Sequence, residues 1–113
     1  MRKTLIALPI AVLALLVPLM TASTAMAATT VKLGDNFFAP SSKTVRQGAK
    51  VRFQWIGNRT HNVKKRRGPG GGFKSRTTSR RGVNFAKRFR QRGTYKLICT
   101  IHPETMRLTL RVR

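Results

Sequence analysis

The stretch that decides the fold lies near the carboxyl end of the 113-residue chain, at residues 93–112, and reads Gly93-Thr94-Tyr95-Lys96-Leu97-Ile98-Cys99-Thr100-Ile101-His102-Pro103-Glu104-Thr105-Met106-Arg107-Leu108-Thr109-Leu110-Arg111-Val112. On either side of a polar segment, apolar and polar residues alternate with a period of two. This alternation is typical of β-strands that have one buried side and one wet side. The stretch therefore predicts two strands, joined by a loop that carries a cysteine, a histidine and a methionine.

Two segments upstream show the same alternation. They are residues 51–55 and 83–89, and their predicted inward positions are Val51, Phe53, Trp55, Val83, Phe85 and Phe89. Lys87 breaks the inward series of the second segment, which indicates a strand edge or a bulge. Turn signals rich in Gly, Asn and Asp separate the segments, and no helical period is visible. The sequence therefore predicts an all-β sandwich or barrel.

The first 27 residues have the layout of a secretory signal peptide. Arg2 and Lys3 precede an apolar run over residues 5–20, and a small-residue stretch ends in Ala25-Met26-Ala27, an A-x-A cleavage site. The run is shorter than the ~18 apolar residues of a spanning helix. An uncleaved N-terminal anchor is the alternative. We expect a signal peptide over residues 1–27 and one mature domain over residues 28–113.

Composition excludes several classes of site. The single cysteine rules out an intramolecular disulfide and a four-thiolate zinc site. Asp35 and Glu104 are the only two acidic residues, so paired-carboxylate catalysis and an all-oxygen calcium cage are not expected. A hydrophobic content of 41% is nevertheless enough for a modest core.

Four side chains in residues 28–113 could bind a soft or borderline metal: His61, Cys99, His102 and Met106. Taken singly, a buried cysteine is usually an inert apolar residue, and a lone methionine is more often part of the core. Together, two imidazoles, one thiolate and a weak axial thioether form the trigonal type 1 site of blue copper proteins. Sulfur ligands suit Cu(I) and imidazole suits both oxidation states, so this mixture permits electron transfer with little rearrangement.

The chain resembles the cupredoxin family, which includes plastocyanin, pseudoazurin and amicyanin. The resemblance rests on residues 35–40 (Asp-Asn-Phe-Phe-Ala-Pro), residues 60–63 (Thr-His-Asn-Val) and residues 93–103. It implies an eight-stranded Greek-key β-sandwich with copper at one end. It also implies that His61, Cys99 and His102 are equatorial ligands and Met106 the axial ligand. Asn62 matches the residue that braces the ligand loop and the cysteine sulfur by hydrogen bonding, and so tunes the reduction potential.

The predicted function is that of a secreted or periplasmic blue copper protein that carries single electrons and is not an enzyme. Copper oxidases and reductases add a second copper site that needs more histidines than the two present. Two alternatives stay open. One is a copper scavenger or chaperone that uses the same ligands. The other is a metal-free basic module that binds anionic envelope polymers.

The charge of the chain points to anionic partners. Removing residues 1–27 lowers the formal net charge only from +22 to +20, because Arg2 and Lys3 are the only charges lost. Such a field attracts an acidic redox protein, or an anionic envelope or membrane surface, and it favours a monomer. Nucleic-acid binding is not expected, because the aromatic residues occupy inward strand positions where they pack the core. A secreted chain is also kept away from the genome.

Overall fold

The computed structural model describes residues 28–113, so the predicted signal peptide lies outside the described residues. The described chain contains these eight strands: β1 (Thr29–Gly34), β2 (Phe37–Ala39), β3 (Ser42–Val45), β4 (Ala49–Trp55), β5 (Lys64–Arg67), β6 (Gly82–Phe89), β7 (Gly93–Ile98) and β8 (Arg107–Val112). Over this range, no helix is long and apolar enough to cross a membrane. The all-β prediction is confirmed.

The strands form two four-stranded sheets with the orders β2-β1-β4-β6 and β3-β8-β7-β5. Each sheet contains one parallel pair, β1 with β4 and β3 with β8, and the other neighbours are antiparallel. Parallel partners cannot be joined by a hairpin, so the chain crosses between the sheets. This two-sheet arrangement confirms the predicted sandwich.

The core lies between the inner faces of the two sheets. The predicted alternation holds along β4, β7 and β8, whose buried residues are Ala49, Val51, Phe53, Trp55, Tyr95, Leu97, Leu108, Leu110 and Val112. Val31 and Leu33 of β1 complete the first inner face, although the sequence pattern does not predict that strand individually. Burial of this apolar surface is the main favourable term in folding.

Strand β6 departs from its predicted parity. Phe53 of β4 pairs with Phe85, but the next residue, Gln54, pairs with Val83, so Asn84 is an extra residue in a bulge. The bulge reverses the alternation, and Val83 is 52% exposed instead of buried. The prediction for Val83 is therefore wrong, and the bulge lies at Asn84.

Lys87 lies on the inward side of β6, which is an edge strand of its sheet. Its ammonium is 4.9 Å from the centroid of the Phe73 ring, a cation–π distance. An inward-pointing charge on an edge strand discourages pairing with another chain. The expectation that the aromatic residues pack inward is wrong for Phe37, which is 48% exposed.

One end of the sandwich gathers the loops that carry the candidate ligands. Strands β1, β4 and β7 end there, while β5, β6 and β8 begin there. We call it the site end and define it by the connecting residues 35–36, 56–63 and 99–106.

Candidate metal centre

His61 is held by its backbone and by both sides of its ring. Its backbone N–H and C=O pair with Thr78 at 3.0 and 3.1 Å, and the indole N–H of Trp55 donates to the His61 carbonyl at 3.3 Å. The side chain is completely buried. Its Nε2 is 3.2 Å from Oδ1 of Asp35, which leaves Nδ1 turned towards Cys99.

Backbone hydrogen bonds close the loop between β7 and β8 on itself. The Cys99 amide donates to the Met106 carbonyl at 3.1 Å, and the Met106 amide donates to the His102 carbonyl at 2.9 Å. The His102 amide donates back to the Cys99 carbonyl at 3.2 Å. Cys99 and Met106 are completely buried, whereas His102 is half-buried. The loop therefore holds sulfur side chains inside the protein and one imidazole at its surface.

The distances between the predicted ligands can be compared with what one metal ion requires. Metal–ligand bonds of about 2.0 Å to imidazole and about 2.3 Å to thiolate, ~120° apart, put the two donors ~3.7 Å from each other. Sγ of Cys99 and Nδ1 of His61 are 3.9 Å apart. The ring centroids of His61 and His102 are 5.7 Å apart. The separation of Sγ of Cys99 and Nδ1 of His61 fits two ligands of one type 1 copper ion, and the His102 ring lies close to them.

The predicted ligands differ in how close they lie to one another. Cys99 and His61 are in direct contact, and the His102 ring lies beside that of His61. Within residues 28–113, no three side chains from His, Cys, Asp and Glu already form a closed group around an ion. The complete ligand set, Met106 included, therefore stays a prediction.

Asn62 links the two ligand loops. Its backbone N–H is 3.5 Å from the Cys99 sulfur. Its side-chain amide donates to the hydroxyls of Thr77 at 2.9 Å and Thr100 at 2.7 Å, and its Oδ1 accepts from the Thr100 amide at 2.9 Å. The side chain is completely buried. These contacts are of the kind expected for the bracing role that the sequence suggests.

Asp35 is a site residue that the sequence analysis missed. Its Oδ1 accepts from the backbone amides of Asn58 at 3.0 Å and Arg59 at 2.9 Å as well as contacting His61. The amides of Arg59 and Asn58 hold the pKa of this carboxyl below its ordinary value of 3.8, so it is ionised at neutral pH. A carboxylate on the second nitrogen of a ligand histidine fixes the ring and raises its basicity.

The available signal for Asp35 was weak. The residue is one of only two acids in the chain, yet it stands in a Gly34-Asp35-Asn36 segment that reads as a turn. The structure shows that the same turn brings its carboxylate against the loop before His61, 26 positions away.

Comparison with known proteins bears on the fold and the metal. The copper-binding protein family described as plastocyanin/azurin matches residues 25–113. No curated protein is similar enough to be matched.

Several solved structures share the fold. An oxidised amicyanin mutant, in which one proline is replaced by glycine, is 23% identical, with a TM-score of 0.68 over 81% of this chain and 88% of that one. The reduced Cu(I) form of another proline-to-glycine mutant of amicyanin is 24% identical, with the same TM-score and coverage. The copper-containing nitrite reductase of Thermus scotoductus SA-01 is 22% identical, with a TM-score of 0.65 over 77% of this chain. The present chain spans 22% of that reductase.

The family match covers the whole described domain, and the similar structures have the same two-sheet fold. Copper proteins of this family are generally single-electron carriers that bind one type 1 ion. The chain therefore belongs to the plastocyanin/azurin family of copper-binding proteins, the cupredoxins, and its cofactor is one type 1 copper ion.

Proposed function

We propose that residues 28–113 form a secreted or periplasmic blue copper protein that carries single electrons between redox partners and catalyses no substrate turnover. His61, Cys99 and His102 are the equatorial ligands and Met106 the axial ligand in this proposal. Residues 1–27 act as the signal peptide. The bound copper ion supplies the one-electron couple, and the protein supplies the ligands and their surroundings.

The observation that carries the proposal is the 3.9 Å approach of the Cys99 sulfur to Nδ1 of His61, with both side chains fully buried. Asp35 orients the imidazole and the Asn62 backbone amide approaches the cysteine sulfur, so the surrounding protein holds both donors. A site held in this way needs little rearrangement when the oxidation state changes.

The solvent exposure of the predicted ligands indicates where the electron leaves the protein. His61, Cys99 and Met106 are completely buried, whereas His102 is half-buried and stands beside Ile101, which is 45% exposed. In the proposal, a partner docks at the site end and the electron passes through the His102 ring edge. Because the chain is strongly cationic, the partner carries an acidic surface, and repulsion between copies keeps the protein monomeric.

The test is a Cu(II) titration of the purified protein followed by visible and EPR spectroscopy. We expect a stoichiometric, intense blue band with narrow copper hyperfine splitting. Cys99→Ser should abolish the colour, and Thr105→Ala, at an exposed residue of the same loop, should keep it. A Cys99→Ser protein that stayed blue would rule out the ligand assignment. Slow electron self-exchange combined with rapid copper release to an acceptor would favour a scavenger instead.

A further inference from the structure

The end of the sandwich opposite the site end is rich in arginine. Strands β3, β6 and β8 end there, β7 begins there, and arginines flank these strand ends. We call this surface the arginine end and define it by five exposed side chains: Arg46, Arg88, Arg90, Arg92 and Arg113.

Hydrogen bonds order the arginine end but do not neutralise it. The side-chain amide of Gln47 donates to the Arg90 carbonyl at 2.8 Å and its oxygen accepts from Nε of Arg92 at 3.0 Å. The Gln47 backbone N–H donates to the Arg113 carbonyl at 2.8 Å. One nitrogen of Arg88 donates to the Gly48 carbonyl at 3.2 Å. Most of the guanidinium donors therefore still face solvent.

No carboxylate side chain is available to balance these charges. The two acidic residues of the sequence, Asp35 and Glu104, both lie at the site end. Asp35 contacts the His61 ring, and Glu104 forms an ion pair with Arg107. Both acidic side chains therefore lie at the site end, and the five arginines at the opposite end have no acidic side chain beside them. An anionic surface would attract these arginines and relieve their self-repulsion.

The position of the first described strand points to the kind of anionic surface. Thr29 of β1 pairs with Val51, which is two residues from the start of β4 at the arginine end. The described domain therefore begins on the same side as the arginines. An apolar run over residues 5–20 that stayed attached, the anchor alternative of the sequence analysis, would hold the domain to a membrane from that side.

We propose that the arginine end docks on the anionic headgroups of a phospholipid bilayer and turns the site end towards the aqueous phase. Guanidinium groups bind phosphate oxygens bidentately, and clustered cations are attracted to anionic lipid. The inference goes beyond the proposed electron transfer, and the binding itself does not require copper.

The test is co-sedimentation of the copper-free protein with phosphatidylcholine vesicles that contain or lack phosphatidylglycerol. The variant Arg90→Gln/Arg92→Gln/Arg113→Gln is compared with Arg59→Gln/Arg76→Gln/Arg80→Gln, which loses the same charge from exposed residues outside the arginine end. Each cation near an anionic membrane surface contributes about fivefold in affinity. We therefore expect the first variant, which lacks three of them, to bind the vesicles on the order of 100-fold more weakly. The control variant should stay close to the parent protein.

Two outcomes would overturn the proposal. Equal losses in both variants would mean that only total charge matters. If the arginine-end variant lost its binding to soluble polyglutamate but kept its binding to vesicles, the arginine end would be a binding site for an acidic protein. Hydrogen exchange on bound vesicles gives the orientation: protection is expected at residues 46–48 and 90–93, and not at residues 99–106. Urea unfolding of both variants checks that each is folded.

Discussion

At the scale of single residues, Asp35 joins the first hairpin of the chain to the metal-binding loops. One carboxylate oxygen receives two backbone amides and contacts Nε2 of His61. Such a group acts in two ways, through the geometry that it imposes and through its charge. The two contributions can be separated by substitution, because an asparagine keeps the acceptor oxygen and loses the charge.

We predict that Asp35→Asn lowers Cu(II) affinity by about 10-fold and Asp35→Ala by about 100-fold, the range typical of groups that orient a metal ligand. The reduction potential should rise in both variants, because a less basic imidazole stabilises Cu(II) less. Competition titration and voltammetry measure the two quantities. An unchanged potential in Asp35→Asn would restrict Asp35 to a geometric role.

Met106 is the second residue whose role can be measured directly. Its side chain is completely buried next to the backbone contact between residues 99 and 106. We predict that Met106→Gln lowers the reduction potential, because a harder axial ligand favours Cu(II). Met106→Leu keeps the volume and removes the sulfur, and it should raise the potential. Voltammetry of both variants decides, and two unchanged potentials would show that Met106 is not a ligand.

At the scale of elements, the turn between β6 and β7 is fastened by Tyr95. Its hydroxyl donates to the Gln91 carbonyl at 2.7 Å and its ring packs edge-on against Phe89. Burial raises the pKa of Tyr95 above its ordinary value of 10.0. Folding therefore disfavours the phenolate, and the stability that Tyr95 contributes is complete below pH 10 and lost as pH rises through the raised pKa.

We predict that Tyr95→Phe lowers the free energy of unfolding by about 1 kcal/mol at neutral pH, through the lost hydrogen bond. Above a pH of about 10 the difference from the parent protein should narrow, because only the parent has a phenol to ionise. Urea unfolding of the two copper-free proteins, at neutral pH and above a pH of about 10, measures this difference in free energy of unfolding. If the difference in free energy of unfolding between the two proteins stayed constant with pH, it would contradict the raised pKa of Tyr95.

The strands differ in how far the sequence could predict them. Alternation along β4, β7 and β8 was visible because each has one buried and one wet side. Strand β6 was found, but the side chain of Val83 was assigned to the wrong face, because an extra residue at Asn84 reverses the parity and leaves no mark in the sequence. The short strands β2 and β3 and the basic edge strand β5 bury too little for a pattern.

The predicted ligands could be chosen because residues 28–113, with one Cys, two His and one Met, offer few other donors. The sequence could not identify Asp35 as a site residue, because its contact with His61 depends on the parallel pairing of β1 with β4. The sequence likewise could not show that the acidic residues and the arginine end lie at opposite ends of the sandwich, since this requires knowing at which end each strand finishes.

At the scale of the whole molecule, copper binding should be a large part of the stability. The described domain is small, and small domains bury a limited core. A ligand at about 100 times its Kd adds about 2.7 kcal/mol to the native state. For a domain of this size, about 1 kcal/mol corresponds to about 4–8 °C in Tm, so copper should raise Tm by about 10–20 °C.

Differential scanning calorimetry of the copper-free and copper-loaded protein measures the shift. Cys99→Ser is the control and should show little change on adding copper. Equal shifts in both proteins would mean that copper acts at other groups.

The pairing of β3 with β8 has a consequence for how the protein is made. Ser42 lies opposite Thr109, and the hairpin turn that carries Asp35 precedes His61, while Cys99 and Met106 come near the carboxyl terminus. A nascent chain therefore holds an imidazole and its carboxylate long before any sulfur ligand emerges. Contacts between such distant segments are also slow to form in folding. We expect the completed and folded chain to be the first form able to retain copper, so metal loading follows the synthesis of β8.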